Sequence, residues 1–460
     1  MVYDQPWLIP EWKTVLLGQQ MYAGFTLYSE IWDDTAPLSA LVYWGMYALF
    51  GEIQLAYQLV ASGLVLVQAL MFNEILRGRQ VFLDLTLVPA LLYVVLMHIF
   101  PDMFVLSPPL LANTFLLVVV RYLFLHIAER RRYSAVFEIG AYIGLAALFY
   151  LPAGMFLLVP LLAFLSFTST KSLEYLLMFF AFLFPLGVAF LVFFLSNHEY
   201  DFYLNFLVSV ATLHTHFYLP WYFLLFILGY PLGLCLLTIA QFGTYRLYTN
   251  YQNRCQNLMG LWLLAGAGSL LLASEVSVFS LIPMLLAVVF MLSHFFLMMR
   301  AAIWREGLFL LLLLGAIYTG YGTMFGHYLT IPALWRGGQA VKIKIPTDDL
   351  IARPHPQAHL FAGKKIWVAD QKPMFYLGAR VSTPYLHWGL AQRHFGKMSQ
   401  YYDIQVQVYQ NLFSSRNAPD FIIDPRGEAR KIFQTLPLAK SQYEYLQAFK
   451  IYRRKTALRP

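Results

Sequence analysis

The chain has 460 residues, of which 59% are hydrophobic and only 12% charged, and its mean hydropathy is +0.59. Soluble domains carry about 25% charged residues, so a water-soluble globular protein is excluded. The formal charge of +8 is spread over short loops and the tail rather than gathered into a nucleic-acid-binding face, and no nucleic-acid partner is expected.

In chain order, Pro10-Glu11-Trp12 opens an amphipathic segment that runs to Gly24, and Tyr28-Ser29-Glu30-Ile31-Trp32-Asp33-Asp34-Thr35-Ala36-Pro37 follows. The apolar stretch 37–51 is short for a crossing, which takes about 20 residues, and it reads as a re-entrant or interfacial half-helix. Spans are predicted at 53–76, 80–100, 105–128, 133–151, 153–169, 171–196, 218–242, 257–273, 276–298 and 304–326. The fold class is therefore an all-α polytopic membrane bundle of about ten crossings with a small α/β extracytoplasmic domain behind it. The division is 1–52 as external loop with amphipathic and half-buried helices, 53–334 as bundle and 335–460 as the soluble domain.

Loop charges support this layout. One side receives Arg77, Arg79, Arg130, Arg131, Arg132, Lys171, Arg246, Arg254, Arg300 and Arg305, and the other Asp102, His198, Glu199, Asp201 and Glu275. Basic loops stay in the cytoplasm. Counting 37–51 as a full span would put Arg77 and Arg79 outside. The N-terminal 36 residues and the C-terminal domain are thus expected outside a bacterial inner membrane. No signal peptide precedes Pro37 to carry the N-terminus across, so a further helix is expected upstream.

Inside the spans, Asp84, Arg121, Glu138 and Glu174 fall toward the cytoplasmic ends and read as structural. No row of acids threads the mid-membrane, which argues against a transporter. Cys235 lies in an apolar segment and Cys255 in a predicted cytoplasmic loop, without metal-ligand spacing or reason to pair. Neither a metal nor a cofactor is expected. In the tail, Lys364–Ala369 and Asp420–Asp424 read as strands, with a helix around Trp388–Gln400 between them.

Glu30, Asp33 and Asp34 crowd together just before an apolar helix. Carboxylates against an apolar wall lose solvation and raise one another's pKa, which suits a general base. The same residues also fit a solvated turn, with Asp34 or Thr35 as N-cap and Pro37 in the first turn. The residues leave both readings open.

The run Glu11, Gly24, Tyr28, Glu30, Asp33 and Pro37, with Pro101-Asp102 and Ser107-Pro108 in the second external loop, resembles the C-type (GT-C) integral-membrane glycosyltransferases, specifically the protein O-mannosyltransferases and aminoarabinose transferases. The resemblance implies transfer of a sugar from a polyprenyl-phosphate donor to an extracytoplasmic acceptor, with inversion and an external-loop carboxylate as base. It implies Asp33 as first candidate base, Glu11 as second, and Glu30 and Asp34 in support. Asp102, His198, His214, His216, Arg336 and Lys342, with Lys344 beside them, become candidates for substrate contact, and membrane lipids and envelope proteins are the expected partners. Many members carry Asp-Glu where this chain has Pro10-Glu11. That departure keeps a rival open: a non-catalytic membrane scaffold subunit of a cell-envelope complex built on the same fold.

Overall fold

The structure, a computed structural model, describes residues 7–78, 81–82, 86–129, 133–167, 171–212, 216–217, 221–241, 249–299, 301–324, 329–336, 339–343, 358–369, 373–382, 387–414, 417–447 and 451–455. Asp84, His214 and Lys344 lie outside the described residues.

Two short helices come first, α1 (Ile9–Tyr22) and α2 (Pro37–Phe50). The bundle follows as α3 (Gln54–Gly78), α4 (Val88–Met97), α5 (Pro108–Glu129), α6 (Tyr133–Phe149), α7 (Leu158–Phe167) and α8 (Ser172–Leu195). An irregular stretch then carries α9 (Glu199–Phe202), α10 (Ser209–Thr212) and β1 (His216–Phe217). The bundle resumes with α11 (Trp221–Gln241) and α12 (Asn250–Leu271), passes β2 (Glu275–Val276), and closes with α13 (Ile282–Met298) and α14 (Ala302–Met324).

Each of the ten predicted spans overlaps a helix. Among the described residues, five helical stretches are long and apolar enough to cross a membrane: Gln54–Gly78, Pro108–Ala128, Ser172–Leu195, Val278–Met298 and Ala302–Gly320. The apolar segments Pro37–Phe50, Val88–Met97, Ser134–Phe149, Leu151–Ser166 and Ile227–Ile239 are shorter. At 14 residues, α2 has the length expected of a half-helix. α12 starts at Asn250 rather than 257, because Thr249 and Gln252 form a reciprocal capping box there. Cys255 is therefore buried within a helix, not in a loop.

Burial sorts the spans. Val278–Met298 is 89% buried and forms the axis, whereas Ser172–Leu195 and Ala302–Gly320 are only 17% and 11% buried. Their exposed Leu and Phe rows have the character of a lipid-facing surface. Close packing inside the bundle rests on small residues. A Cβ at Gly140 would fall on the Met178 carbonyl oxygen, and one at Gly144 on the Phe182 carbonyl oxygen, so this Gly-xxx-Gly pair lets α6 and α8 meet backbone to backbone. Polar glue sits deeper: Tyr93 donates to Gln68 Oε1 at 2.6 Å and Asn113 Nδ2 donates to the Tyr93 oxygen at 2.9 Å, joining α3, α4 and α5.

The C-terminal part begins with the antiparallel pair β3 (Leu329–Arg336) and β4 (Gln339–Ile343). It continues through α15 (Ala358–Phe361), β5 (Lys365–Val368), β6 (Arg380–Val381), α16 (Trp388–Lys397), α17 (Tyr402–Phe413) and β7 (Phe421–Ile423), then α18 (Glu428–Thr435), α19 (Pro437–Ser441), β8 (Tyr443–Leu446) and β9 (Ile451–Arg454). Five strands form one sheet in the order β6-β5-β7-β9-β8; β5 runs parallel to β6 and β7, and β9 antiparallel to β7 and β8.

Strand periodicity explains how the sheet is used. Along β5, Ile366 and Val368 join the apolar cluster shared with the bundle, while Trp367 between them joins the separate cluster under α16–α18. Successive side chains point to opposite faces, so one face docks toward the membrane part and the other carries its own helices.

Gly140→Val is expected to lower the apparent Tm in detergent by an amount corresponding to about 1–3 kcal/mol of overpacking. Gly187→Val, where an added Cβ meets nothing within 4 Å, is expected to lower it much less. Thermal unfolding of the two purified variants beside wild type checks this.

Candidate active site

The first loop is tightly specified. Just past the end of α1, Gly24 has φ 85°; Gly24 N donates to Met21 O and Phe25 N to Gln20 O, a Schellman cap that turns the chain sharply. Tyr28 also has a left-handed backbone, with φ 71°, which costs a bulky residue roughly 1–2 kcal/mol. Its wholly buried ring contributes about 1.5–3 kcal/mol, and three hydrogen bonds fix the position. Tyr28 N donates to Ile31 O at 2.9 Å, its hydroxyl to Thr35 O at 2.7 Å, and Asn205 Nδ2 to Tyr28 O at 2.8 Å. Burial and hydrogen bonding outweigh the strain.

Beyond this anchor the neighbouring acids diverge. Asp33 is wholly buried; its Oδ1 accepts from the Thr35 backbone N–H at 2.8 Å and from the Thr35 hydroxyl, while Oδ2 lies 3.6 Å from Lys13 Nζ. Asp34 faces the other way, with Oδ2 accepting from the Ser274 hydroxyl. Lys13 also donates to Glu275 Oε1 at 2.9 Å. Neither Asp34 nor Thr35 caps α2, as the turn reading expected: the N-cap is Ala36, without a side-chain bond, because both side chains are engaged elsewhere. Pro37 does sit in the first turn.

The C-terminal part reaches into this cluster. Trp32, wholly buried, inserts its ring among Trp367, Leu390 and Ala391 and stacks on His394 at a centroid separation of 3.7 Å. Burial pushes the His394 pKa down to about 4, so the stacked ring is neutral. His387 N donates to Trp32 O at 3.0 Å. The His387 Nε2 lies 3.7 Å from Glu275 Oε1 and 3.9 Å from Asp34 Oδ1. Sequence reasoning missed Glu275 and His387 as members of this cluster; both are far from Asp34 along the chain and neither belongs to a local motif.

Asp34, Lys13 and Glu275 line a cavity of about 100 Å³. Its wall is completed by Pro10, Thr14 and Tyr43 from α1 and α2, by Ser107 and Pro108, and by Tyr150 after α6. Behind the same loop, α2, α6 and α8 enclose an apolar groove of about 850 Å³, lined by residues such as Leu41, Leu145, Phe184 and Val192, with Thr26, Ser196 and His198 among its few polar residues.

The other expected site residues are dispersed. Glu11 faces α3, accepting from Gln54 at 3.0 Å, and burial pushes its pKa up to about 7. Glu30 accepts from Thr26 N at 2.8 Å and closes a turn. Asp102 accepts from the Ser277 hydroxyl and, at 3.2 Å, from Val278 N, joining two loops; burial pushes it up to about 7 against these bonds. His198 Nδ1 is 3.9 Å from Asp201 Oδ2. His216 pairs with Glu275 through the β1–β2 backbone, and Arg336 and Lys342 lie on the β3–β4 pair. Among the described residues no group of His, Cys, Asp and Glu has the geometry to hold a metal ion.

No family model matches the sequence, and no curated protein matches it. Among solved structures, ArnT from Cupriavidus metallidurans in the apo state superposes with a TM-score of 0.52 at 12% identity, over 98% of this chain and 94% of that one. The fold is GT-C-like. A second ArnT structure, bound to undecaprenyl phosphate, gives a TM-score of 0.48 at 13% identity; there the match spans 70% of this chain and 60% of that one. The archaeal oligosaccharyltransferase AglB from Archaeoglobus fulgidus, in complex with an inhibitory peptide and a dolichol-phosphate, gives 0.45 at 10% identity, over 99% and 71%. On this GT-C-like frame the acidic cluster sits where the first loop, the loops at Asp102 and Ser274, and the C-terminal part meet.

Asp102 yields a pH test. Its folded pKa of about 7 stands above the ordinary 3.8, so the folded state holds the proton more tightly than the unfolded chain. The stabilisation is full below the ordinary value and is lost as pH rises through about 7. Asp102→Asn removes that titration and is expected to flatten the decline in Tm between pH 5 and pH 8. Parallel Tm profiles for variant and wild type would show that Asp102 does not titrate there.

Proposed function

We propose that the protein transfers a glycosyl group from a polyprenyl-phosphate donor to an acceptor on the extracytoplasmic face of a bacterial inner membrane, with Asp34 as the general base. The observation that carries this reading is that Asp34 lines a cavity together with Lys13 and Glu275 on a GT-C-like scaffold. Asp33, the first candidate from sequence, is turned behind the cavity wall and tied to Thr35 and Lys13; the reading assigns it the work of holding the loop.

The chemistry is then balanced. The acceptor hydroxyl gives its proton to Asp34, and its oxygen forms the new bond to the anomeric carbon from the face opposite the phosphate. The anomeric carbon–oxygen bond breaks, its electron pair leaves with the polyprenyl phosphate, and the configuration inverts. Lys13, on the same cavity wall, supplies positive charge near the departing phosphate. The 850 Å³ apolar groove suits an isoprenoid chain lying beside α2. ArnT, whose fold this chain shares, has been solved with undecaprenyl phosphate bound, which supports a lipid-phosphate donor here.

A second reading, the non-catalytic scaffold subunit of an envelope complex with the C-terminal part as docking surface, is favoured by one observation. The cavity is small, about 100 Å³, and its lysine, Lys13, is already engaged by Asp33 and Glu275. One experiment separates the readings: turnover of a panel of polyprenyl-phosphate sugars by wild type, Asp34→Asn and Asp33→Asn. The enzyme reading expects Asp34→Asn to lose about 10²–10⁴-fold while staying folded, and Asp33→Asn to lose mainly stability. A well-folded wild type that neither binds nor turns over any donor selects the scaffold.

A further inference from the structure

His387 is buried and sits at the junction of the C-terminal part with the first loop. Its Nδ1 accepts from Leu390 N at 3.3 Å, capping the first turn of α16. With Nδ1 an acceptor, the proton of the neutral ring resides on Nε2. That nitrogen is buried without a hydrogen-bond partner, and it is aimed at Asp34 Oδ1 and Glu275 Oε1.

Capping alone does not account for this residue. Ser, Thr, Asp and Asn cap helices better than His, and they would do so without burying an unsatisfied N–H, which costs about 1–3 kcal/mol. Placed here, histidine has the length to cap α16 with one nitrogen and reach the membrane-side carboxylates with the other.

We propose that His387 is a positioning residue: the C-terminal part, locked to the first loop by Trp32, supplies its Nε2–H to hold the Asp34 carboxylate in its cavity-facing orientation. The inference rests on the reading of Asp34 as base. The groups around the pair are Ser274, which donates to the other Asp34 oxygen, Glu275, Lys13, which bridges Glu275 and Asp33, and the neutral His394 against Trp32. The 3.9 Å separation exceeds hydrogen-bond length and has to shorten for the contact to form; such bonds are often long in unliganded sites and tighten on binding.

The test uses the full chain in detergent and two substitutions with opposite virtues. His387→Asn keeps a good N-cap and loses the reach; His387→Gln keeps an N–H at about the Nε2 position and caps poorly. Positioning predicts that His387→Asn lowers kcat about tenfold, leaves KM nearly unchanged and moves the acid limb of the pH–rate profile upward by about one unit. It also predicts that His387→Gln, though less stable, recovers most of the turnover. Turnover that tracks Tm across the pair, with an unmoved acid limb, overturns the proposal.

A second arm needs no activity. A double-mutant cycle of Asp34→Asn with His387→Asn in thermal unfolding is expected to be non-additive. Additive changes overturn the link between the two residues. Non-additivity in a protein that turns over no donor supports the link while removing the glycosyltransferase reading.

Discussion

Asp33 and Glu275 converge on the Lys13 ammonium, with Asp34 on the same cavity wall as Lys13 and Glu275, and the junction of the first loop with the C-terminal part is organised around satisfying these charges. Burying a carboxylate without a partner costs several kcal/mol, and breaking an established buried pair costs about 3–5 kcal/mol. The partners come from distant parts of the chain: Lys13 from α1, Thr35 from the first loop, Ser274 and Glu275 from the turn before α13, and His387 from the cap of α16. Each contact fixes one segment relative to another. The charge requirement therefore constrains the tertiary arrangement as strongly as the apolar packing below it.

The same economy appears in the loop backbone. A left-handed tyrosine at position 28 persists because Phe193, Phe202 and Phe206 surround its ring and three hydrogen bonds hold its main chain and hydroxyl. After the turn at 28–30 the chain passes without regular secondary structure from Trp32 to Ala36. Trp32 enters the C-terminal core, Asp33 turns back to Thr35 and Lys13, and Asp34 meets Ser274 and the cavity. Over-determination of this kind is what a site needs if its acid is to hold one orientation.

The helical stretches of the bundle were largely legible in the sequence because hydropathy is a local property. The short α2, the ten helical stretches, and strands at 365–368 and 421–423 all follow from composition within a window. The early acids were legible as a cluster, but their division of labour was not. Asp33 and Asp34 are adjacent and chemically alike, and only the partners brought by α1 and the turn at Ser274 separate an inward carboxylate from a cavity-facing one. Glu11 illustrates the converse: it lies two residues from Lys13 on α1, yet helical geometry carries it toward Gln54 on α3. His387 gave no local signal at all, since a histidine before an amphipathic helix reads as an ordinary cap.

The two cavities separate along the line set by that loop. Thr35 and Ala36 line the cavity that holds the charged Asp34, Lys13 and Glu275, while Pro37 and Leu38 line the apolar groove. A lipid phosphate is an amphiphile whose charged and hydrocarbon parts are joined by one bond, so a protein that handles it needs a polar and an apolar compartment meeting at a thin partition. Residues 35–38 form such a partition, with α2 starting inside it at Pro37.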